Sequence, residues 1–194
     1  VHIGAGLPAF TIVGLPDKTV AESRERVRAA IQSMGIAIPA KKILINLAPA
    51  DILKEGSHFD VPIALGLLTA LNMLPEDAMA GYVAMGELAL DGQLLPVAGV
   101  LPAAIAAASQ SRGIICPEAN GPEAAFGGDI EVLAPASLLA LINHVKGQQV
   151  LPPPQPSVTG TAFRGPDLAE VRGQEIAKRA LEIAAAGGHN LLMI

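Results

Sequence analysis

The sequence of 194 residues contains no tryptophan, one cysteine and only 3% aromatic residues. A surface that stacks the bases of single-stranded nucleic acid needs aromatic faces, so that mode of binding is disfavoured from the outset. Cys116 has no partner within the chain for a disulfide, which fits a reducing, cytoplasmic setting. It is expected to be a small buried strand residue and not a reactive thiol. No apolar run is long enough to span a bilayer and no signal peptide is visible, so no membrane partner is expected. His2, His144 and His189 stand apart, without the spacing of metal ligands, and are expected to be structural. No G-x-x-x-x-G-K-[ST] string occurs, so no loop of glycine N–H groups and lysine can cradle phosphates at a helix N-terminus. What the chain does have is apolar bulk. Hydrophobic residues make up 51% and charged residues 16%, which excludes a disordered chain and implies a sizeable core.

The net charge of −5 is unevenly spread. Residues 1–60 hold seven Lys/Arg and six Asp/Glu, residues 61–150 hold two and eight, and residues 151–194 hold four of each. The early cations Lys18, Arg24, Arg26, Arg28, Lys41 and Lys42 form a cluster that can meet phosphates. They also read as a solvated helix face laced by Glu22–Arg26 and Glu25–Arg28 pairs at helical spacing. The composition favours this plainer reading, because acids offset most of the local charge.

Along the chain, Pro8-Ala-Phe-Thr-Ile-Val-Gly14 reads as a strand and Pro16-Asp17 as the opening of a helix, with Pro in its first turn. Val20, Val27, Ile31 and Met34 give that helix an apolar face, and Gly35 stops it. Lys41 to Leu47 is a second strand. Asp60 is the expected N-cap of a helix from Val61 to Leu74 that is hydrophobic all round, hence the buried spine. Val83 to Val97 alternates about Asp91-Gly92, a hairpin signal. A helix from Pro102 to Ser109 follows, then short strands at Gly113–Pro117 and Ile130–Leu133, and a last helix from Leu138 to Val145 capped by Ser137. One mixed sheet layered with helices is the natural α+β architecture. Leu151-Pro-Pro-Pro-Gln-Pro156 is too rich in proline for helix or central strand and marks a linker, residues 148–166, after a first domain of residues 1–147. Residues 167–194 read as a helix running into a buried strand.

Two segments carry a family resemblance: Lys54-Glu-Gly-Ser-His-Phe-Asp-Val-Pro-Ile-Ala64 and Gly86-Glu-Leu-Ala-Leu-Asp-Gly-Gln-Leu-Leu-Pro-Val-Ala-Gly99. Both resemble the proteolytic domain of Lon-type proteases. There a K-[DE]-G string precedes the nucleophile helix, and a hairpin of the second pattern precedes the lysine of a Ser-Lys dyad. Such chemistry needs a hydroxyl and an amine to take its proton. The resemblance aligns Asp60 with the nucleophile and Leu101 with the lysine, so it implies the scaffold without the catalyst. Ser57, His58 and Asp60 are too close in sequence to form a relay of three side chains, and read as loop and cap.

Further strings narrow the match: Phe10-Thr-Ile-Val-Gly-Leu-Pro-Asp17, Glu22-Ser-Arg-Glu-Arg-Val-Arg-Ala-Ala30 and Asn46-Leu-Ala-Pro-Ala-Asp51. With them the chain resembles the Mg-chelatase-related proteins of the ComM (YifB) group. The resemblance implies a non-proteolytic Lon-like domain over residues 1–147, then the start of an AAA+ ATPase module over residues 167–194, ending before its Walker A loop. It implies a cytoplasmic, hexameric motor for DNA branch migration in natural transformation, using ATP and Mg in the intact protein. No cofactor and no catalytic residue is expected in this stretch, and neither ATP nor peptide hydrolysis. Val171, Gly173 and Gln174 match the family's box on the adenine side of the nucleotide. Asn190 to Ile194 match the strand that delivers the phosphate loop. A native N-terminus is expected to precede Val1. If the first domain touches DNA, the face led by Arg24, Arg28, Lys41 and Lys42 is the expected contact, its rival being ion pairs between subunits of a ring. A chelatase-type motor that remodels a metal-insertion partner and a cryptic Lon-like peptidase are the alternatives.

Overall fold

The computed structural model describes residues 1–157 and 167–193. They fall in two compact units, Val1–Val158 and Thr159–Ile194. The first unit opens with β1 (His2–Gly4) and β2 (Ala9–Val13), followed by α1 (Lys18–Ser33) and β3 (Lys42–Asn46). Pro16 lies outside α1; Asp17 is the cap, its carboxylate accepting from Val20 N–H at 2.7 Å. Val20, Val27 and Ile31 are buried with Ser23 and Ala30, the spacing of one helix face. Gly35, in the left-handed region at φ +76°, follows the helix end. β3 is central, antiparallel to β1 and parallel to β2.

α2 (Asp60–Ala70) follows a short 3-10 turn, and Asn72 at φ +58° lies just beyond the helix end, so the helix stops before the expected Leu74. It is the spine: Val61, Ile63, Leu65, Leu67 and Leu68 are all buried. β4 (Tyr82–Ala84), β5 (Glu87–Leu88), β6 (Leu94–Leu95), α3 (Val100–Ser109), β7 (Gly113–Ile115), α4 (Gly121–Ala124), β8 (Val132–Leu133) and α5 (Leu138–Val145) complete the unit. The single sheet expected from the pattern is replaced by three small ones: β1-β3-β2, the parallel β4-β7-β8, and the β5-β6 hairpin. The alternating run from Val83 is split at Gly86, φ +152°, so that β4 joins β7 while only the inner part forms the hairpin. A Cβ on Gly86 would sit within 3.2 Å of Val61 and Pro117, which is why the break falls on a glycine.

Strand β7 separates two cores. Ile115 packs with α1, α2 and α5, whereas Ile114 and Cys116 face a smaller cluster with Met85, Val100 and Ala104. Cys116 is fully buried, and burial pushes its thiol up to about 12. The proline-rich stretch begins against this unit: Leu151 is half-buried against the main core and donates its N–H to His144 Nδ1 at 3.1 Å. Residues 158–166 of the expected linker lie outside the described residues.

The second unit holds a 3-10 turn at Leu168–Glu170, opened by Asp167, and α6 (Glu175–Gly187). The strand expected from Asn190 is not formed among the described residues: Leu191, Leu192 and Met193 are exposed, and a strand without a neighbour leaves its backbone groups unpaired. Among the described residues, no helix is long and apolar enough to cross a membrane.

Candidate functional site

At Asp60, which the sequence resemblance sets against a protease nucleophile, the structure builds an ion pair. Asp60 is fully buried, and Arg26 Nε and Nη2 donate to its carboxylate at 2.6 and 2.9 Å. Leu88 N–H donates to the same group at 3.1 Å, and Arg26 Nη2 also reaches Thr19 O and Ser23 Oγ. The hydrogen bond to Asp60 holds the guanidinium above its usual pKa, against the cost of burial. Asp60 therefore does not cap α2; it ties α1, α2 and the hairpin together. Arg26 does not pair with Glu22 along the helix as the spacing suggested. It sits three residues after buried Ser23 on the inward side of α1, and that position, with an acid heading an apolar helix, was the available signal.

The neighbouring groups do not form a relay. The Ser57 hydroxyl donates to Glu87 and not to His58, whose ring lies 4.3 Å from that of Phe59. Leu101, aligned with the lysine, lies in the first turn of α3 and donates its N–H to Glu123 at 3.3 Å. The Asp60 carboxylate is thus engaged by an arginine and a backbone N–H, and the Leu101 side chain has no group that takes a proton.

The basic candidates converge on the start of β2. Arg24 and Arg28 line a shallow depression of about 230 Å³ with Pro8, Ala9, Phe10 and Glu25. Lys42 pairs with Ala9 across the sheet, and Lys41 O accepts from Ala9 N–H at 3.3 Å. All four cationic residues are exposed. Glu25 pairs with Arg24 at 3.0 Å and Glu22 approaches Lys18 at 3.9 Å, so neither acid makes the pair expected from spacing. The end of the sheet where β2 and β3 begin thus presents a polar hollow lined by Arg24, Arg28 and Glu25, with Lys41 and Lys42 opening β3 next to Ala9.

In the second unit, Val171, Gly173 and Gln174 form an exposed turn ahead of α6. Gly173 (φ +69°) and Gln174 (φ +58°) are both left-handed, which turns the backbone away from the helix that begins at Glu175. Such a turn can offer backbone groups to a flat ring edge. Among the described residues, no group of His, Cys, Asp and Glu is arranged to hold a metal ion.

The family described as "Subunit ChlI of Mg-chelatase" matches residues 1–120. The chain belongs to the Mg-chelatase-related family. A second description, "Magnesium chelatase, subunit ChlI", matches residues 167–194, so the family relationship resumes beyond the proline-rich stretch. The competence protein ComM of Haemophilus influenzae is 44% identical over 199 residues, covering 100% of this chain and 39% of that protein. The uncharacterized protein YifB of Escherichia coli is 45% identical over 194 residues, covering 100% and 38%. A relative in Mycobacterium tuberculosis is 38% identical over 192 residues, covering 98% and 38%. The chain spans less than two-fifths of the length of these relatives.

Proposed function

We propose that this chain is the N-terminal accessory part of an ATP-driven AAA+ motor that moves DNA branches during recombination of incoming DNA. In this reading, residues 1–147 adopt a Lon-protease-like fold without its catalytic pair, residues 148–166 link, and residues 167–194 begin the ATPase module. The motor is a cytoplasmic hexameric ring. The observation that carries the proposal is the match of 100% of this chain, at 44% identity, to a competence protein of H. influenzae. The buried Arg26–Asp60 pair supports the non-catalytic assignment, since a structural ion pair stands where the protease resemblance calls for a nucleophile.

ATP and Mg would be held by the intact protein. The fit of the residues present is partial: the turn at Val171, Gly173 and Gln174 suits the adenine side, and the sequence offers no glycine-lysine loop for phosphates. Arg24, Arg28, Lys41 and Lys42 would meet DNA phosphates, with affinity independent of sequence and falling steeply with salt. A second reading, a motor that remodels a metal-insertion partner, is favoured by the chelatase-subunit description of both matching families. The two are separated by measuring ATPase activity of the intact protein with branched DNA and with a porphyrin-binding partner, with and without residues 1–150. DNA stimulation that weakens without residues 1–150 supports the first. Stimulation by the porphyrin-binding partner alone overturns it.

A further inference from the structure

Because β2 and β3 run parallel, their C-terminal ends emerge at one end of the sheet, opposite the basic hollow. The two loops there are stitched into one surface. Leu47 N–H donates to Val13 O at 2.9 Å, Lys54 N–H to Leu15 O at 3.0 Å, and Asp17 N–H to Lys54 O at 2.9 Å. The Lys54 side chain is buried, and its ammonium is spent on the carbonyls of Pro49 and Ile52, fixing the second loop from within. Gly14 lies so close to Leu47 that a Cβ would overlap the Leu47 carbonyl. This rigid frame holds apolar side chains in solvent: Leu15 is 52% exposed, Ile52 58% and Leu53 54%. Leu15 is also held at φ +55°, a left-handed conformation that a leucine adopts only when the surrounding structure holds it there. Asp51 and Glu55, both exposed, flank the patch.

We infer that this acidic-apolar loop end docks on the basic hollow of a second copy of the chain, head to tail. The occupant follows from complementarity. The loop end offers Leu15, Ile52 and Leu53 between two acids; the opposite end offers Arg24 and Arg28 beside Pro8 and Ala9, with Glu25 paired to Arg24 and Leu7 88% exposed in the preceding loop. Strands of five residues set the two ends about 17 Å apart, so neither can satisfy the other within one unit. A contact between unlike surfaces is heterologous and generates a ring when its rotation closes. The inference deepens the proposal above by naming the contact between ring neighbours, and it competes with DNA for Arg24 and Arg28.

The test uses the chain itself in analytical ultracentrifugation at low salt. The unaltered chain should associate reversibly; a chain that stays monomeric to about 1 mM overturns the inference. Asp51→Lys with Glu55→Lys sets like charges on both ends, as does Arg24→Glu with Arg28→Glu, and each pair should weaken association at least tenfold. Mixing the two variants re-creates opposite charges at each junction and should restore association, as should all four changes on one chain. An unrestored mixture overturns the proposal. Leu15→Ser with Ile52→Ser should weaken association without altering DNA affinity; unchanged association overturns the apolar part. Circular dichroism melts of each variant exclude unfolding as the cause. If the Arg24 and Arg28 changes reduce DNA binding and leave association intact, the inference fails and the motor reading stands. If they alter association and not DNA binding, the inference stands and the DNA role of this face fails.

Discussion

Helices α2 and α6 are of similar length and opposite character. In α2, seven of eleven residues are buried, including its first residue, Asp60; in α6, none of thirteen is. The α2 sequence is poor helix material by propensity, with Pro62, Gly66 and Thr69 among its residues, and it is held by packing around most of its circumference, Pro62, Gly66, Thr69 and Ala70 being only half-buried. The α6 sequence is rich in Ala, Glu, Lys and Arg, and is laced by Lys178–Glu175 and Arg179–Glu182 pairs three residues apart. One helix is made by its surroundings, the other by its own residues. The difference predicts where substitutions will be felt.

The largest effect is expected at Arg26. Arg26→Ala leaves Asp60 buried without its cation, and should cost about 3–5 kcal/mol in urea unfolding of the chain. Replacing both partners, Arg26→Leu with Asp60→Leu, should recover most of that loss, because an apolar pair leaves no unpaired charge. A double variant as unstable as the single one would show that the Leu88 N–H, which donates to Asp60, carries the effect instead. Next comes Leu68→Ala, at about 2–5 kcal/mol, since Leu68 is fully buried in the main core. A value under about 1 kcal/mol would mean that α2 is not the spine of the unit.

Much of this unit was legible. Ser137 capping α5 and the buried face of α1 followed from residue spacing, because local chemistry decides them. The course of the chain at Gly86 was not legible. Val83 to Val97 reads as one hairpin about Asp91-Gly92, and only the tight approach of Val61 and Pro117, both distant in sequence, shows why the strand must turn at Gly86. The pairing of Arg26 is hidden in the sequence for the same reason. Its partner lies 34 residues away, and helical spacing offered Glu22 as a nearer acid. The four basic candidates were legible as cations, whereas their gathering around Ala9 depends on strand register.

Between the extremes lie end effects. Asp17→Ala removes the acceptor for Val20 N–H at the start of α1 and should cost about 1 kcal/mol, measured by the same unfolding transition. The Cys116 thiol should resist alkylation at pH 8 on the native chain, because burial holds it up to about 12 and shields it. Sign and window follow from that shift. The unfolded thiol ionises above about 9 and the folded one only near 12, so the thiol's contribution to stability is intact below pH 9 and is lost as pH rises toward 12. Cys116→Ala should flatten that part of the profile; an unchanged slope would assign it elsewhere, as to Tyr82, whose hydroxyl is also raised by burial and by its bond to Glu131.

The smallest effect should come from α6, where the comparison is most exposed to failure. Ile176 is 89% exposed, so Ile176→Ala removes a side chain that touches little, and alanine is the better helix former by a few tenths of a kcal/mol. The unfolding midpoint of the chain should therefore move by less than the equivalent of about 0.5 kcal/mol. Hydrogen exchange should show α6 amides opening freely while those of α2 exchange only with global unfolding. A loss of 1 kcal/mol or more on Ile176→Ala would mean that its exposed side chain is covered in solution, and α6 would then share the kind of support that holds α2.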